Sequence, residues 1–149
     1  MENYPKRKRT RLENFDYSAE GYYFLTICTK DREEILSAIS SDAEHGPRVT
    51  LTRFGQIVDA FIQSIPGIDK YVIMPNHIHM IIHKTNGNSI ISDMRAFKSL
   101  VTKKIGESIW QVSFYDHIIR NEADYREKRQ YIENNPAHWA EDRYFIHIS

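Results

Sequence analysis

Residues 71–83, YVIMPNHIHMIIH, form the stretch of sequence that decides the fold. Two strand-like runs, Tyr71–Met74 and His77–His83, flank Pro75 and Asn76. Proline and asparagine are turn formers, and a turn between two such runs is typical of an antiparallel hairpin. We therefore predict a β-hairpin in the middle of the chain, with the chemistry on its second strand.

Alternate side chains of a strand share a face, so His77 and His79 are expected on one face of the second strand. Two imidazoles in this arrangement can bind one divalent ion, although on spacing alone polar side chains on a solvent-facing strand are the more frequent explanation. His83 lies farther along the same face and raises a three-histidine zinc site as an alternative. At about 3.3 Å per residue, His83 is roughly 13 Å from His79, too far to share an ion within a regular strand.

Strands and helices alternate on both sides of this hairpin. Residues 21–29 predict a buried, central strand, and residues 31–47 predict a loop, with a short strand at 48–51. Apolar residues of helical period start after Thr52 and again over residues 89–105, where the helix has a basic side. A short edge strand is expected at 117–120. We predict an α+β fold: an antiparallel sheet with helices on one face, of the ferredoxin-like or RRM-like kind.

The last predicted helix carries a tyrosine and an asparagine one turn apart. It starts at about Glu122, after the N-cap Asn121, and ends at Pro136. Tyr131 and Asn135 share a face if the helix continues to Asn135, but the residue before a proline is disfavoured in helical geometry. Spacing alone favours an asparagine cap beside a packed tyrosine, and a metal-binding amide next to a reactive phenol is the alternative.

Composition limits the class of protein. The chain has 149 residues, 41% of them hydrophobic, which fits one domain over residues 1–149. Its single cysteine, Cys28, has no partner for a disulfide within the chain, so we expect a reducing, cytoplasmic location. No stretch has the length that a membrane helix needs. The net charge of zero argues against a protein that coats duplex DNA through phosphate contacts alone.

Positive charge is nevertheless concentrated in a basic N-terminal arm at about residues 1–12. This arm and the basic side of the second predicted helix form our predicted DNA-binding surface: Lys6, Arg7, Lys8, Arg9, Arg11, Arg95, Lys98 and Lys103. The arm alone is equally compatible with a solvated, disordered terminus.

Several segments resemble the IS200-like, single-tyrosine transposases, and they follow one another over nearly the whole chain. His77-Ile-His79 resembles the HUH motif of that family, in which two histidines flank a hydrophobic residue. The other segments are Arg11-Leu12, Tyr17-Ser18, Tyr23–Thr29, Phe97–Ser99, Trp110-Gln111, Asp116–Arg120 and Tyr131–Pro136. The resemblance is greatest to the branch associated with repetitive extragenic palindromes (REP), in which a tyrosine lies five residues before an Asn-Pro proline.

The resemblance implies a function and the residues that perform it. Tyr131 matches the nucleophile, and His77, His79 and Asn135 match the three ligands of Mg²⁺ or Mn²⁺. The implied protein is an HUH endonuclease and strand transferase that cuts single-stranded DNA beside a hairpin through a 5′-phosphotyrosine intermediate. Both a monomer and a homodimer are compatible with the sequence.

Two other functions stay open at this point. The chain is also compatible with an RRM-like module that binds structured single-stranded nucleic acid without cutting it. A zinc hydrolase that uses water as the nucleophile is the second alternative. Tyr125 is the second candidate for the nucleophile on the same helix.

Overall fold

A computed structural model describes residues 20–85, 87 and 89–141 of the chain. The basic arm and the motif segments Arg11-Leu12 and Tyr17-Ser18 lie outside the described residues. The elements are, in chain order, β1 (Gly21–Cys28), β2 (Ser37–Asp42), β3 (Gly46–Leu51), α1 (Arg53–Ile62), β4 (Ile68–Ile73), β5 (His77–Lys84), α2 (Ile90–Ile105), β6 (Tyr115–Ile119) and α3 (Glu122–Asn134). Short 3-10 helices follow β1, at Lys30–Arg32, and α3, at Pro136–Glu141.

Four strands form the main sheet in the order β4-β5-β1-β6, and each neighbouring pair is antiparallel. Two β-α-β units, β1-α1-β4 and β5-α2-β6, interleave to give this order, which is that of a ferredoxin-like sheet. The structure confirms the predicted α+β class, the hairpin β4–β5, the central position of β1 and the edge position of β6.

The two faces of the sheet are covered by different helices. Alternate residues of β1 and β5 pack against α1 and α2 in one large apolar cluster, which includes Leu25, Ile27, Ile78 and Met80. The opposite face carries a smaller cluster, in which Phe24 and Ile81 of the sheet pack against Ile132 of α3. The prediction of helices on one face of the sheet therefore holds for α1 and α2. It does not hold for α3, which packs on the opposite face.

A separate hairpin replaces the loop that the sequence predicts after β1. Strands β2 and β3 pair in register from Ser37↔Leu51 to Asp42↔Gly46. The prediction of a loop at residues 31–47 is wrong for residues 37–42 and 46–47. The backbone of β2 pairs with β3, but the strand is mostly polar and lacks the alternating apolar residues by which a strand is recognised in a sequence. Strand β3 packs against the 3-10 helix at Pro136–Glu141, so the hairpin supports the segment that follows α3.

Close packing at the start of α1 explains a glycine. A Cβ added at Gly55 would lie 2.0 Å from the carbonyl oxygen of Leu36, so only glycine lets the helix approach the start of β2 this closely.

None of the helices in the described part of the chain combines the length and the apolar character needed to cross a membrane.

Candidate metal and nucleophile site

The two predicted histidines lie side by side on the sheet face that α3 covers. In the pairing of β5 with β1, His77 is opposite Cys28 and His79 is opposite Thr26. Their ring centroids are 4.6 Å apart, and both side chains are buried, at 0% and 2% exposure. The residues between and after them, Ile78 and Met80, point to the other face and into the main core, as predicted.

A hydrogen bond holds each imidazole through its Nδ1 atom. The Asn76 amide oxygen lies 2.8 Å from Nδ1 of His77, and because this oxygen can only accept, the ring nitrogen donates. The Thr26 hydroxyl lies 2.8 Å from Nδ1 of His79. These bonds fix the orientation of both rings. Donation from Nδ1 leaves the lone pair of His77 on Nε2, and Nε2 of His79 is the ring nitrogen that does not face Thr26.

Neither Thr26 nor Asn76 was identified as a site residue from the sequence. Asn76 lies next to His77 in the chain but has the sequence signature of a turn residue. Thr26 lies 53 residues before His79, and only the register of β1 on β5 brings them together. Knowledge of that register would identify Thr26, because a residue opposite a candidate ligand on the same face is a candidate to orient it.

Tyr131 of α3 lies over this histidine pair. Its ring centroid is 5.1 Å from that of His79 and 6.1 Å from that of Phe24, both with edge-to-face geometry. The side chain is 39% exposed, although its neighbour Ile132 is buried in the cluster beneath α3. The phenol is therefore in contact with the histidine site and is also accessible to a large substrate.

Asn135 and Trp139 follow Tyr131 along the same segment. Asn135 is buried, at 3% exposure. The ring centroid of Trp139 lies 6.2 Å from that of His77. The segment therefore contacts both histidines: Tyr131 at its start contacts His79, and Trp139 at its end faces His77. Asn135 lies midway between these two residues in the sequence, and its side chain is buried.

The backbone at Asn135 decides between two alternatives that the sequence leaves open. A following proline disfavours helical geometry, but Asn135 has φ −58° and ψ −43°, within the right-handed helical region. The amide of His138 donates to the Asn135 carbonyl at 3.1 Å, so the chain continues as a 3-10 helix over Pro136–Glu141. Tertiary contacts with β3 on that 3-10 helix outweigh the local preference.

Polar contacts fasten α3 at both edges of the sheet. On β6, Nε2 of His117 lies 2.7 Å from a carboxylate oxygen of Asp124, and Lys128 donates to the same carboxylate at 2.9 Å. Burial acts to raise the pKa of Asp124, but the bonds from His117 and Lys128 outweigh it, so the pKa is lowered. In β4, at the other edge of the sheet, Asp69 accepts a hydrogen bond of 2.6 Å from the hydroxyl of Tyr125.

The contact with Asp69 also separates Tyr125 from Tyr131 chemically. The hydrogen bond to Asp69, together with burial, raises the pKa of the Tyr125 phenol. A phenol that donates to a carboxylate is harder to ionise and is a poorer nucleophile. Its ring packs edge-to-face on Tyr22, 5.2 Å away. Of the two tyrosines, Tyr131 is the one whose ring contacts His79.

The three-histidine alternative is not supported by the geometry. His83 is exposed and stacks on Tyr22, with ring centroids 4.2 Å apart. Within the described ranges, no group of three or more histidine, cysteine, aspartate or glutamate side chains could hold a metal ion. A site on the α3 face would consequently need an amide oxygen to supplement the two imidazoles.

The predicted DNA-binding cations lie elsewhere. Arg95, Lys98 and Lys103 are on α2, which packs on the face opposite the histidines. The ammonium of Lys98 donates to the carbonyls of Gln111 and Val112, at 2.7 and 3.1 Å. Arg95 and Lys103 are exposed. The structure therefore separates these residues from the histidine site, and Lys6, Arg7, Lys8, Arg9 and Arg11 lie outside the described residues.

Fold and site together define an α+β protein of the HUH type, with two histidines on a ferredoxin-like sheet facing a helix that carries a tyrosine. No family model matches the chain. An uncharacterised protein of Haemophilus influenzae is 32% identical over 94% of this chain and 93% of its own length. A REP-associated tyrosine transposase of Escherichia coli is 38% identical over 47% of this chain and 44% of its own.

A solved structure extends this likeness over most of the chain. The structure of a REP-associated tyrosine transposase bound to a REP hairpin matches with a TM-score of 0.65 and 26% identity, over 87% of this chain and 74% of that one. The chain belongs to the IS200-like family of single-tyrosine transposases, and its named relatives are of the REP-associated branch.

Proposed function

We propose that the protein is a metal-dependent endonuclease and strand transferase that acts on single-stranded DNA, with Tyr131 as the nucleophile. The observation that carries the proposal is the contact of the accessible Tyr131 ring with His79, one of two buried histidines held through Nδ1. Membership of a tyrosine transposase family supports the same chemistry.

The donor set fits a divalent ion. We assign His77 and His79, through Nε2, and the amide oxygen of Asn135 as the ligands of Mg²⁺ or Mn²⁺. Histidines that bind a metal through one ring nitrogen usually make a hydrogen bond with the other, as His77 does with Asn76 and His79 with Thr26. Three neutral donors leave coordination positions open for phosphate oxygens and water, as a Mg²⁺ or Mn²⁺ site for phosphoryl transfer needs. When bound, the ion would supply positive charge to the scissile phosphate and to the charge that develops on it.

The chain's own residues perform the transfer. The oxygen of the Tyr131 phenol attacks phosphorus and forms the new P–O bond, and its proton passes to solvent. The bond from phosphorus to the 3′ oxygen breaks, and that oxygen leaves with a proton as a 3′-hydroxyl. The 5′-phosphate stays on Tyr131 as a phosphodiester, so an incoming 3′-hydroxyl can reverse the step without an external source of energy. The ring of Trp139 packs against that of His77, at the end of the chain segment away from Tyr131.

The proposed substrate is single-stranded DNA next to a hairpin. A relative of known structure binds a REP hairpin, which supports a hairpin substrate for this chain. The basic arm and Arg95, Lys98 and Lys103 are proposed to contact the DNA backbone. Because α3 carries Tyr131 to the histidines of its own chain, one domain over residues 1–149 is expected to hold a complete site without a second copy.

The test is the formation of a covalent protein–DNA adduct. Hairpin oligonucleotides with single-stranded flanks, labelled on the strand 3′ to the cut, would be incubated with Mn²⁺ and separated under denaturing conditions. We expect label on the wild type and on Tyr125→Phe, and none above a protein-free blank on Tyr131→Phe.

Each alternative function predicts a different result. Binding without an adduct across varied hairpins and both ions would favour the non-catalytic module. Cleavage that survives Tyr131→Phe with no adduct would favour a hydrolase that uses water. An adduct that is lost only in Tyr125→Phe would move the nucleophile to the other tyrosine.

A further inference from the structure

A groove lies on the outer side of α2, away from the histidine site. It forms between α2 and the loop that leads to β6, and we call it the α2 groove. Its volume is about 560 Å³, and the lining that matters here consists of Arg95, Lys98, Lys103, Trp110, Val112 and Ser113. Spacings of three and four residues along α2 bring its contributing side chains to one face of the helix.

The charge of the α2 groove is of one sign. Arg95, Lys98 and Lys103 line it, and no carboxylate is found among its described lining residues. The ammonium of Lys98 is bound to the carbonyls of Gln111 and Val112, so it fixes the loop wall. Arg95 and Lys103 are exposed and supply positive charge at the opening. This arrangement suits an anionic ligand.

Two polar atoms in the loop wall lack a hydrogen-bond partner among the residues that the structure describes. They are Nε1 of Trp110 and Oγ of Ser113, and both atoms are buried. The Trp110 side chain as a whole is only 5% exposed, so its ring does not present a face on which a base could stack. A buried donor without an acceptor costs free energy, and a ligand oxygen at the wall would recover it.

Apolar surface lies beside these donors. Val112 projects from the loop and is 93% exposed. The groove combines features that suit the parts of a nucleotide. Its cations suit the phosphate, its buried donors suit polar oxygen atoms, and its exposed aliphatic surface suits the face of the base. In duplex DNA the bases are paired and stacked, so the contact with Val112 requires an unpaired nucleotide.

The α2 groove is attached to the end of the sheet that carries the histidine site. Trp110 forms an isolated β-bridge with Thr29, and the Gln111 amide donates to the Cys28 carbonyl at 3.0 Å. Cys28 is in turn the cross-strand partner of His77. A nucleic acid strand that leaves the groove at this end reaches the edge of the sheet face on which His77 lies.

We propose that the α2 groove binds an unpaired nucleotide of the single-stranded DNA beside the hairpin. The proposal rests on the proposed function for its substrate class only. Arg95 and Lys103 contact the phosphate, the wall donors Trp110 and Ser113 contact ligand oxygens, and Val112 contacts the base. The groove thereby holds the flanking strand while the cut is made on the other face.

The first test compares a hairpin with unpaired flanks and the same hairpin without them. We expect Arg95→Glu and Lys103→Glu to weaken binding of the flanked hairpin and to reduce the slope of log affinity against log salt by about one each. The matched control is Lys104→Glu, which removes a neighbouring exposed cation of α2 that does not line the groove. Binding of the unflanked hairpin should be equal in all four proteins.

The second test observes the wall directly. The chain has two tryptophans, so its indole N–H groups give two NMR signals, assigned with Trp139→Phe. A short unpaired oligonucleotide should shift the Trp110 signal in the wild type and, at the same concentration, shift it less in Lys103→Glu. An unmoved Trp110 signal at saturation would overturn the proposal, as would equal loss of binding in Lys104→Glu and Lys103→Glu.

The two proposals fail in different ways. If no adduct forms on any substrate but the flank effects appear, the groove stands and the catalytic proposal fails. If adducts form on Tyr131 while neither groove variant distinguishes flanked from unflanked DNA, the catalytic proposal stands and the groove is not a DNA site.

Discussion

The two faces of the four-stranded sheet are built from different kinds of side chain. The face under α1 and α2 is closed by aliphatic and aromatic residues of every element that touches it. The face under α3 has only a small apolar cluster and collects the buried polar residues Thr26, His77, His79 and Asn135. Alternation along β5 separates the two roles residue by residue: Met80 belongs to the core and His79 to the site.

This division explains why the site can be polar without unfolding the domain. The free energy of folding comes mainly from apolar area, and most of that area is on the α1–α2 face. The α3 face contributes less apolar burial and needs additional polar contacts, to Asp69 and to His117, to hold its helix. Variants of matched position on the two faces test the division.

The largest effect on folding is expected on the α1–α2 face. Met80 is fully buried in the main cluster, so Met80→Ala should lower the free energy of unfolding by roughly 2–5 kcal/mol. Urea denaturation followed by circular dichroism measures it. Val112→Ala, at an exposed position, should change stability by less than about 0.5 kcal/mol. A Met80→Ala variant as stable as Val112→Ala would contradict this assignment of the core.

A smaller effect, on metal binding, is expected for Thr26, which lies on β1 and faces α3. Thr26→Val keeps the shape of the side chain but removes the hydroxyl at Nδ1 of His79. Loss of the hydrogen bond that orients a ligating histidine should weaken Mn²⁺ binding about 10–100-fold, as measured by calorimetry. Thr50→Val, on the exposed surface of β3, is the control and should bind as the wild type does. Equal affinity in both variants would remove Thr26 from the site.

The smallest effect is expected at the edge contact of α3. Asp124→Asn breaks the pair with His117 and should cost about 0.5–1 kcal/mol near neutral pH. Because the folded chain lowers the pKa of Asp124 below its ordinary value of 3.8, the carboxylate's contribution is complete above that pH and is lost as pH falls through the folded pKa.

The stabilities of wild type and Asp124→Asn should therefore converge in acid, as denaturation at a series of pH values would show. Glu107→Gln, an exposed carboxylate in the loop after α2, is the control. A difference that stays constant into acid would argue against the charged pair.

Local patterns in the sequence predict the parts of the fold whose signals are local. The alternation around Ile78 and Met80, and the N-cap Asn121 with its hydrogen bond to the Asp124 amide, give β5 and the start of α3 correctly. The hairpin β2–β3 is missed because its polar strands pair mainly with each other and carry no apolar alternation. The sequence leaves the geometry of Asn135 open, because contacts made by the following segment outweigh the local preference set by Pro136.

The same limit applies to the candidate site: residues marked by local sequence patterns are predicted, and residues brought there by contacts distant in sequence are not. Spacing and resemblance predict His77, His79, Tyr131 and Asn135 as site residues, and the structure brings the rings of the first three together and buries Asn135. Thr26 is not predicted, because its position beside His79 depends on a strand register that no local pattern encodes. The α2 groove was found only in part: its cations were predicted, but the buried donor Trp110 depends on how the loop folds back onto Thr29.

The central claim is that the polar face of the sheet holds a metal ion through His77 and His79. Pulsed electron paramagnetic resonance on the Mn²⁺-loaded protein measures this directly, because ligating imidazoles give nitrogen couplings. We expect couplings from two imidazoles in the wild type and in His83→Ala, and from one in His77→Ala. Bound Mn²⁺ without nitrogen coupling, or couplings unchanged in both His77→Ala and His79→Ala, would contradict the account.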